Sequence, residues 1–197
     1  GLVLSFFGKS SHASQPENGH NPARAISKLI IDIPELTARE DHRGIVMATV
    51  VCVRIGEEAF GTNAGFGQLM LTIRAEFESE LDALDASLRA GPRNARQDGI
   101  TNVEIQYRDS FPETRNTPDA VAAVRKARLE CGLPEARWDE PFRSSEDFGC
   151  YTKLTSGALF YIGCGTRHAK LHTREYDFND EIIEPAVDMM FRLAQDA

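Results

Sequence analysis

Apolar and polar residues alternate through the first half of the chain with periods that predict four strands and two helices. Apolar residues at every second position, or β-branched runs bounded by glycine, are typical of strands, whereas spacings of three and four indicate an amphipathic helix. The signals mark a strand at 2–7, a helix carrying Ala25, Ile26, Leu29, Ile30 and Ile33, strands at 45–55 and 69–77, a helix carrying Leu81, Leu84 and Leu88, and a strand at 101–107. This β-α-β-β-α-β order predicts a ferredoxin-like α+β sandwich over residues 1–109.

The pattern changes after a proline-containing linker, and residues 110–197 are predicted to form a second unit. A helix follows the linker, and a further short helix is predicted from Ser145. The continuous apolar run Ala158–Ile162 predicts a strand that is buried on both faces. Asn179 or Asp180 is predicted to cap the last helix. Because these elements are too few to close a core alone, we expect 110–197 to be an incomplete part of an α/β domain.

Composition and charge narrow the classes of function. The chain has 197 residues and a formal net charge of -8, which disfavours a nucleic-acid surface because phosphate-binding faces carry a basic excess. No apolar run approaches the roughly 20 residues of a membrane span, and no signal peptide is recognisable, so a cytoplasmic protein without a membrane partner is expected. The four cysteines form no C-x-x-C pair, which favours free thiols over a structural zinc site or a disulfide framework.

The stretch at 8–25, GKSSHASQPENGHNPARA, contains the first candidate for chemistry, His12. Small polar residues follow a predicted strand, and Asn21 with Pro22 predicts the cap and first residue of a helix, so the turn between them can present His12 outward. An imidazole among serines can bind a developing anion or a carboxylate. From the residues alone, a solvated turn histidine is at least as good an interpretation.

Other polar residues are weaker candidates. Asn63 and Arg74 flank a predicted hairpin, where an amide and a guanidinium can hold a substrate carboxylate, although an exposed strand arginine explains Arg74 equally well. His168 and His172 are four positions apart, but the preceding glycine and threonine favour a loop, so this pair is not interpreted as a joint metal site. Glu146 either caps a short helix or forms a wall of a metal pocket.

Several segments together resemble one enzyme family. They are GKSSHASQPENGHNPARA, GTNAG followed by TIRAEFES, SSEDFG, GALFYIGCG and LHTREYDFNDEII. In this order they resemble the metal-dependent N-acyl-amino-acid amidohydrolases, which include hippurate hydrolase and auxin-conjugate hydrolases, with aminoacylases and carboxypeptidase G as distant relatives. The resemblance implies a catalytic domain with two divalent metal ions, usually zinc, and an inserted ferredoxin-like lid domain that forms a homodimer. Residues 1–109 correspond to the lid, and 110–197 to the carboxyl-terminal part of the catalytic domain.

The resemblance also implies a role for each candidate residue. His12 matches the lid histidine that reaches the partner subunit's active site and polarises the scissile carbonyl or steadies its oxyanion. His172 matches a metal ligand, and Glu146 matches a wall of the metal pocket. Asn63 matches an asparagine that contacts substrate, and Arg74 matches the arginine associated with the substrate carboxylate. The chain departs from the family at GTNAGFG, where an N-V-I-P-D turn is common.

The family's other metal ligands and its glutamate base lie in a segment that we do not find ahead of Gly1. A catalytic zinc site needs about three protein ligands, and His172 is the one expected here. The sequence therefore predicts a truncated amidohydrolase. The complete protein would hydrolyse an amide bond in N-acyl amino acids or related conjugates. The missing ligands can also come from a separate amino-terminal segment that binds this chain as a partner. The chain alone is expected to be inactive and to hold no metal tightly.

Two alternatives belong to other functional classes. The chain can be a non-catalytic dimerisation or ligand-binding module derived from an amidohydrolase. It can also be an enzyme that uses His12 with Ser11 or Ser14, although these serines lack the G-x-S-x-G elbow of serine hydrolases.

Overall fold

The computed structural model describes residues 1–91, 98–136, 138 and 140–195. The chain divides into two compact units, Gly1–Glu113 and Thr114–Ala197. The first unit contains β1 (Leu2–Phe7), β2 (Ser11–His12), α1 (Ala23–Thr37), β3 (Val46–Ile55), β4 (Thr62–Asn63), β5 (Phe66–Ala75), α2 (Glu78–Ala90) and β6 (Asn102–Tyr107), with a 3-10 turn at Pro16–Asn18. The second contains α3 (Pro118–Glu130), α4 (Gly149–Thr152), a 3-10 turn at Asp180–Ile182 and α5 (Ile183–Gln195). No helix in these ranges is long and apolar enough to cross a membrane.

A four-stranded antiparallel sheet organises the first unit. Its strand order is β3-β5-β1-β6, so β1 pairs with both β5 and β6. The two helices and four long strands follow one another in the predicted order. The chain therefore has the predicted mixed α and β composition. The two-residue strands β2 and β4 form a separate small sheet, and they were not predicted because two residues are too few to show a period.

One face of the large sheet carries the core. Alternate residues of β1, namely Leu2, Leu4 and Phe6, are fully buried. They lie in one cluster with the predicted apolar faces of the two helices, Ile26, Leu29 and Ile33 of α1 and Leu84 and Leu88 of α2. Each fully buried side chain of this size contributes roughly 1.5–3 kcal/mol relative to exposure. The first unit thus has a continuous core of its own, and this core supports the loops at the ends of β1 and β5.

The beginning of α1 differs by one residue from the prediction. The helix begins at Ala23 with Pro22 as the N-cap, whereas Asn21 was predicted to cap it. The Asn21 side chain nevertheless caps the first turn of the helix, because its Oδ1 accepts a hydrogen bond from the Ala23 backbone N–H at 2.8 Å. Helix ends are uncertain by a residue or two when they are inferred from sequence alone.

The second unit contradicts two predictions. The short helix begins at Gly149 rather than at Ser145. The predicted strand Ala158–Ile162 is not a strand, and the backbone N–H and C=O of Leu159 instead bond to the side chain of Asn116, each at 2.9 Å. A buried strand needs neighbouring strands to satisfy its backbone, and the described part of this unit contains none.

A hydrogen-bonded network joins the start of α3 to Ser156 and Gly157. Oγ of Ser156 donates to Oδ2 of Asp119 at 2.6 Å and lies 2.7 Å from Oγ1 of Thr117. The Thr117 backbone N–H donates to the Gly157 carbonyl at 3.0 Å. Hydrogen bonds from Ser156 and then Thr117 lower the pKa of Asp119 to about 2. Thr117 is the N-cap residue of α3, but its hydroxyl bonds within this network and makes no capping bond to the helix.

Candidate functional site

His12 lies at the end of β2, on a short turn that the fold holds at several points. The β2–β4 ladder pairs Ser11 with Asn63 and His12 with Thr62. The Ala13 N–H donates to the Gly61 carbonyl at 2.9 Å, and the Gln15 N–H donates back to the His12 carbonyl at 2.9 Å. The backbone on both sides of His12 is therefore fixed, while the side chain itself is exposed, as predicted.

Ser14 determines which nitrogen of His12 carries the proton. The backbone N–H of Ser14 points at Nδ1 of His12 from 3.2 Å, and Oγ of Ser14 lies 2.7 Å from the same nitrogen. A backbone N–H can only donate, so Nδ1 must accept and cannot carry a proton in this arrangement. The neutral ring therefore carries its proton on Nε2. This geometry makes His12 an outward-facing hydrogen-bond donor.

Glycine allows the chain segments around this turn to approach closely. A Cβ at Gly19 would lie 2.6 Å from Oγ of Ser11 and 2.7 Å from Nδ2 of Asn63, and one at Gly65 would overlap the backbone at Ser10. Side chains at these two positions would push the turn away from β4. The close packing explains why a small-residue stretch surrounds His12.

Asn63 is brought next to His12, but its carboxamide is occupied by the protein. Its Oδ1 accepts from Nδ2 of Asn21 at 2.8 Å, and its Nδ2 donates to Oγ of Ser11 at 3.1 Å. Asn21 and Asn63 also line a cleft of about 530 Å³, whose other walls include Ser10, Glu57 and Phe66. The cleft thus combines one carboxylate, amides and an aromatic ring beside the His12 turn.

Arg74 is not brought to the same place. It pairs with Met47 near the end of β5, whereas Phe66, at the other end of the strand, lines the cleft. The eight residue-to-residue steps from Phe66 to Arg74 span roughly 26 Å at about 3.3 Å per step. Within one chain, Arg74 and His12 therefore cannot contact the same small ligand.

The second unit places His172 and Glu146 on exposed loops. His172 has a φ of 64°, and the other non-glycine residue with positive φ in the described ranges is Asp109. Such a conformation is uncommon outside glycine and is concentrated at functional positions. Nδ1 of His168 lies 2.8 Å from the Ala169 carbonyl. Among the described residues, no group of three or more His, Cys, Asp or Glu side chains could hold a metal ion.

Two contacts in the candidate site were not predicted from the sequence, the Ser14–His12 contact and the Asn21–Asn63 bond. The first has a local signal, because a serine two residues after a histidine can bond back to the ring. The second joins residues 42 positions apart, so no local pattern could have revealed it.

The chain is similar to proteins of known family. A model of the peptidase family M20/M25/M40 matches residues 22–196. N-acetyldiaminopimelate deacetylase of Bacillus licheniformis is 26% identical over 197 residues, covering 96% of this chain and 50% of that protein. Hippurate hydrolase of Campylobacter jejuni is 22% identical over 194 residues, covering 97% of this chain and 50% of that protein.

A solved structure shares the fold. The aminobenzoyl-glutamate utilization protein from Klebsiella pneumoniae superposes with a TM-score of 0.74 at 19% identity, over 99% of this chain and 47% of that chain. At this identity the likeness concerns the fold alone. The chain spans about half the length of the curated relatives that it matches.

Proposed function

Because the chain belongs to the peptidase family M20/M25/M40, as its sequence motifs predicted, we propose that the complete protein hydrolyses an amide bond in N-acyl amino acids or related conjugates. The names of two relatives, N-acetyldiaminopimelate deacetylase and hippurate hydrolase, support this substrate class. One observation carries the proposal for this chain: the Ser14 backbone N–H donates to Nδ1 of the exposed His12 ring, from which we infer that Nε2 carries the proton.

His12 is proposed to bind the oxygen of the scissile carbonyl. Amide hydrolysis places negative charge on that oxygen in the transition state, and a fixed N–H donor stabilises it more than it stabilises the substrate. The Ser14 contact orients the ring before substrate arrives, so little reorganisation is needed. Removing one such donor typically reduces kcat by about 10²- to 10³-fold.

The two divalent metal ions that the resemblance implies, zinc in most members, do not fit this chain alone. His172 supplies one imidazole, and no cluster of three or more metal-binding side chains lies within the described residues. In this proposal His172 contributes one ligand to a site that other residues of the complete protein finish, with Glu146 in its wall. The isolated chain is accordingly proposed to be inactive and to bind metal only weakly.

The second unit has an exposed apolar surface, which supports the proposal that another part of the protein packs against it. Ile183, Val187, Met190 and Phe191 of α5 are each at least 50% exposed. Among the described residues of this unit, Ala127 and Met189 are the buried hydrophobic ones. A patch of this kind on a helix is typical of a surface that another part of a protein covers. The remaining part of the family fold, supplied by the same or a separate segment, is the proposed cover.

The first unit is proposed to be the ferredoxin-like lid domain and to form the homodimer. The strand order β3-β5-β1-β6, and the packing of both helices in one core cluster with the sheet, support the ferredoxin-like fold. Support for the homodimer comes from the edge strand β3, where Val50, Val51 and Val53 are exposed, and from Ile31 on the neighbouring helix α1, which is 72% exposed. Apolar side chains beside an unpaired strand edge are suited to pairing with a second copy.

A second candidate function is a binding module without catalysis. The lack of a metal-binding cluster in the described residues and the cleft beside Asn63 favour it. Calorimetry of the metal-free chain with an N-acyl amino acid would detect such binding, and absence of heat would remove this candidate. The main proposal is tested by comparing amino-acid release by the complete protein and by its His12→Ala variant, with the release by the variant expected to be strongly reduced.

A further inference from the structure

The carboxamide of Asn63 connects both ends of the turn that carries His12. Its Nδ2 lies 3.1 Å from Oγ of Ser11, which precedes His12, and 3.5 Å from the Pro16 carbonyl, which follows the turn. Its Oδ1 accepts from Nδ2 of Asn21. Both the oxygen and the nitrogen of the carboxamide are thus bonded to the protein, so Asn63 holds the two ends of the turn together.

The backbone N–H of Ala23 sets the donor and the acceptor in each of the hydrogen bonds that link Asn21, Asn63 and Ser11. The Ala23 backbone N–H is a donor only, so the Asn21 atom that faces it must be Oδ1. The Nδ2 of Asn21 then points to Asn63, whose facing atom must be its Oδ1. The Nδ2 of Asn63 consequently faces Ser11 and donates to it.

We propose that Asn21 is a positioning residue that holds the His12 turn in place through Asn63 and Ser11, a role that rests on the proposed function of His12. The turn held in this way keeps the Ser14 N–H aimed at Nδ1 of His12. The start of α1, which is anchored in the core of the first unit, thereby fixes an exposed histidine. Gly19 packs against the middle of the connection, with no room for a side chain there.

A test must separate this role from helix capping, because Asn21 performs both. Asn21→Ser keeps a hydroxyl that can cap α1, but the hydroxyl is too short to reach Asn63. Asn21→Asp also keeps the cap, and its carboxylate can accept from Nδ2 of Asn63 once that carboxamide turns over. The Ser11 hydroxyl would then donate to Oδ1 of Asn63, so this variant restores the links to residue 21 and to Ser11 in the opposite direction but loses the 3.5 Å contact with the Pro16 carbonyl. Asn18→Ser is the matched control, since Asn18 is an exposed residue of the same loop.

The readouts are the ¹⁵N chemical shifts of the His12 ring and the amide exchange rates of Ala13 and Ser14, measured on the 197-residue chain without substrate or metal. Asn21→Ser is expected to shift His12 toward a mixture of both tautomers and to raise the exchange rates about three- to tenfold, the net value of one hydrogen bond. Asn21→Asp should change both readouts less than Asn21→Ser, and Asn18→Ser should leave them near wild type. The thermal midpoint should stay similar throughout, because the cap is kept.

Unchanged ring shifts and exchange rates in Asn21→Ser would overturn the proposal. Equal changes in Asn21→Ser and Asn21→Asp would also overturn it, because the reversed connection would then be without effect. None of these readouts involves hydrolysis, so they can fail while the proposed function stands. Conversely, an inactive complete protein would refute the proposed function and leave the positioning result intact.

Discussion

The backbone N–H of Ser14 lies 3.2 Å from Nδ1 of His12 and makes that nitrogen an acceptor. The contact spans two residues, yet it determines the chemistry of the opposite side of the ring. With Nδ1 occupied, the proton of the neutral ring is on Nε2, where an incoming carbonyl oxygen can accept it as a hydrogen bond. The proposed catalytic role of His12 therefore depends on a backbone group that mutation of the Ser14 side chain leaves in place.

This distinction gives a prediction for the complete protein. His12→Ala should lower kcat by about 10²- to 10³-fold with a small change in KM, because it removes a donor to the transition state. Ser14→Ala should lose less than about tenfold, since the N–H that orients the ring remains. Steady-state kinetics on an N-acetyl amino acid would measure both, with Asn18→Ala as the control in the same loop. Equal losses of kcat in His12→Ala and Ser14→Ala would contradict the claim that the Ser14 backbone N–H orients the His12 ring.

His42 predicts how the stability of the first unit depends on pH. Its Nε2 lies 2.8 Å from the Leu36 carbonyl and its Nδ1 2.9 Å from Oε2 of Glu80. Both partners accept, so the bond to Leu36 and then the bond to Glu80 raise the pKa of His42 above 6.5. The pKa of Glu80 is lowered below 4.5, mainly by its bond to His42. Stability from His42 is therefore complete below pH 6.5 and is lost as pH rises through the folded-state pKa, whereas stability from Glu80 is lost as pH falls below 4.5.

The measurement is the thermal midpoint of wild type and His42→Gln between about pH 5 and about pH 9. The wild type is expected to have the higher midpoint at the acidic end, and the difference should shrink as pH rises. His168→Gln, which replaces an exposed histidine, should show no such trend. A difference that stays constant across this range would refute the assignment of His42 as the charged partner.

Asp119 predicts the acid sensitivity of the second unit. Its folded-state pKa of about 2 lies below the ordinary value of 3.8, so the stability that it contributes is present above pH 3.8 and is lost as pH falls toward 2. Trp138 is the single tryptophan of the chain and belongs to this unit, so its fluorescence reports unfolding there. Asp119→Asn should lower stability at neutral pH and reduce its loss in acid, whereas Asp188→Asn on α5 should do neither. Identical acid transitions for wild type and Asp119→Asn would contradict this.

The sequence predicted the parts of the fold that local patterns determine. The strand β1 follows from its apolar run, and the buried face of α1 follows from helical spacing. The strand at Ala158–Ile162 was wrong because an apolar run shows that a segment can be buried, but pairing depends on neighbours that the described part of the second unit lacks. The Asn21–Asn63 bond could not be predicted because it depends on how the finished sheet brings distant loops together.

The site was predictable to a similar extent. His12 was identified from its place after a strand and before a helix, and the family resemblance supplied its role. Its tautomer required the position of the Ser14 N–H. Arg74 was grouped with Asn63 because both flank one hairpin, yet most of β5, roughly 26 Å from Phe66 to Arg74, lies between them.

The most direct measurement of the central claim is the rate at which the complete protein releases amino acid from an N-acetyl amino acid, before and after divalent metal ions are removed and returned. We expect hydrolysis that stops on removal of metal, resumes with zinc, and is absent from the 197-residue chain under the same conditions. The 197-residue chain and its His172→Ala variant should also bind zinc with similarly weak affinity, since one imidazole makes no tight site. Hydrolysis that continues unchanged without metal, or that the isolated chain performs at the same rate, would contradict the account.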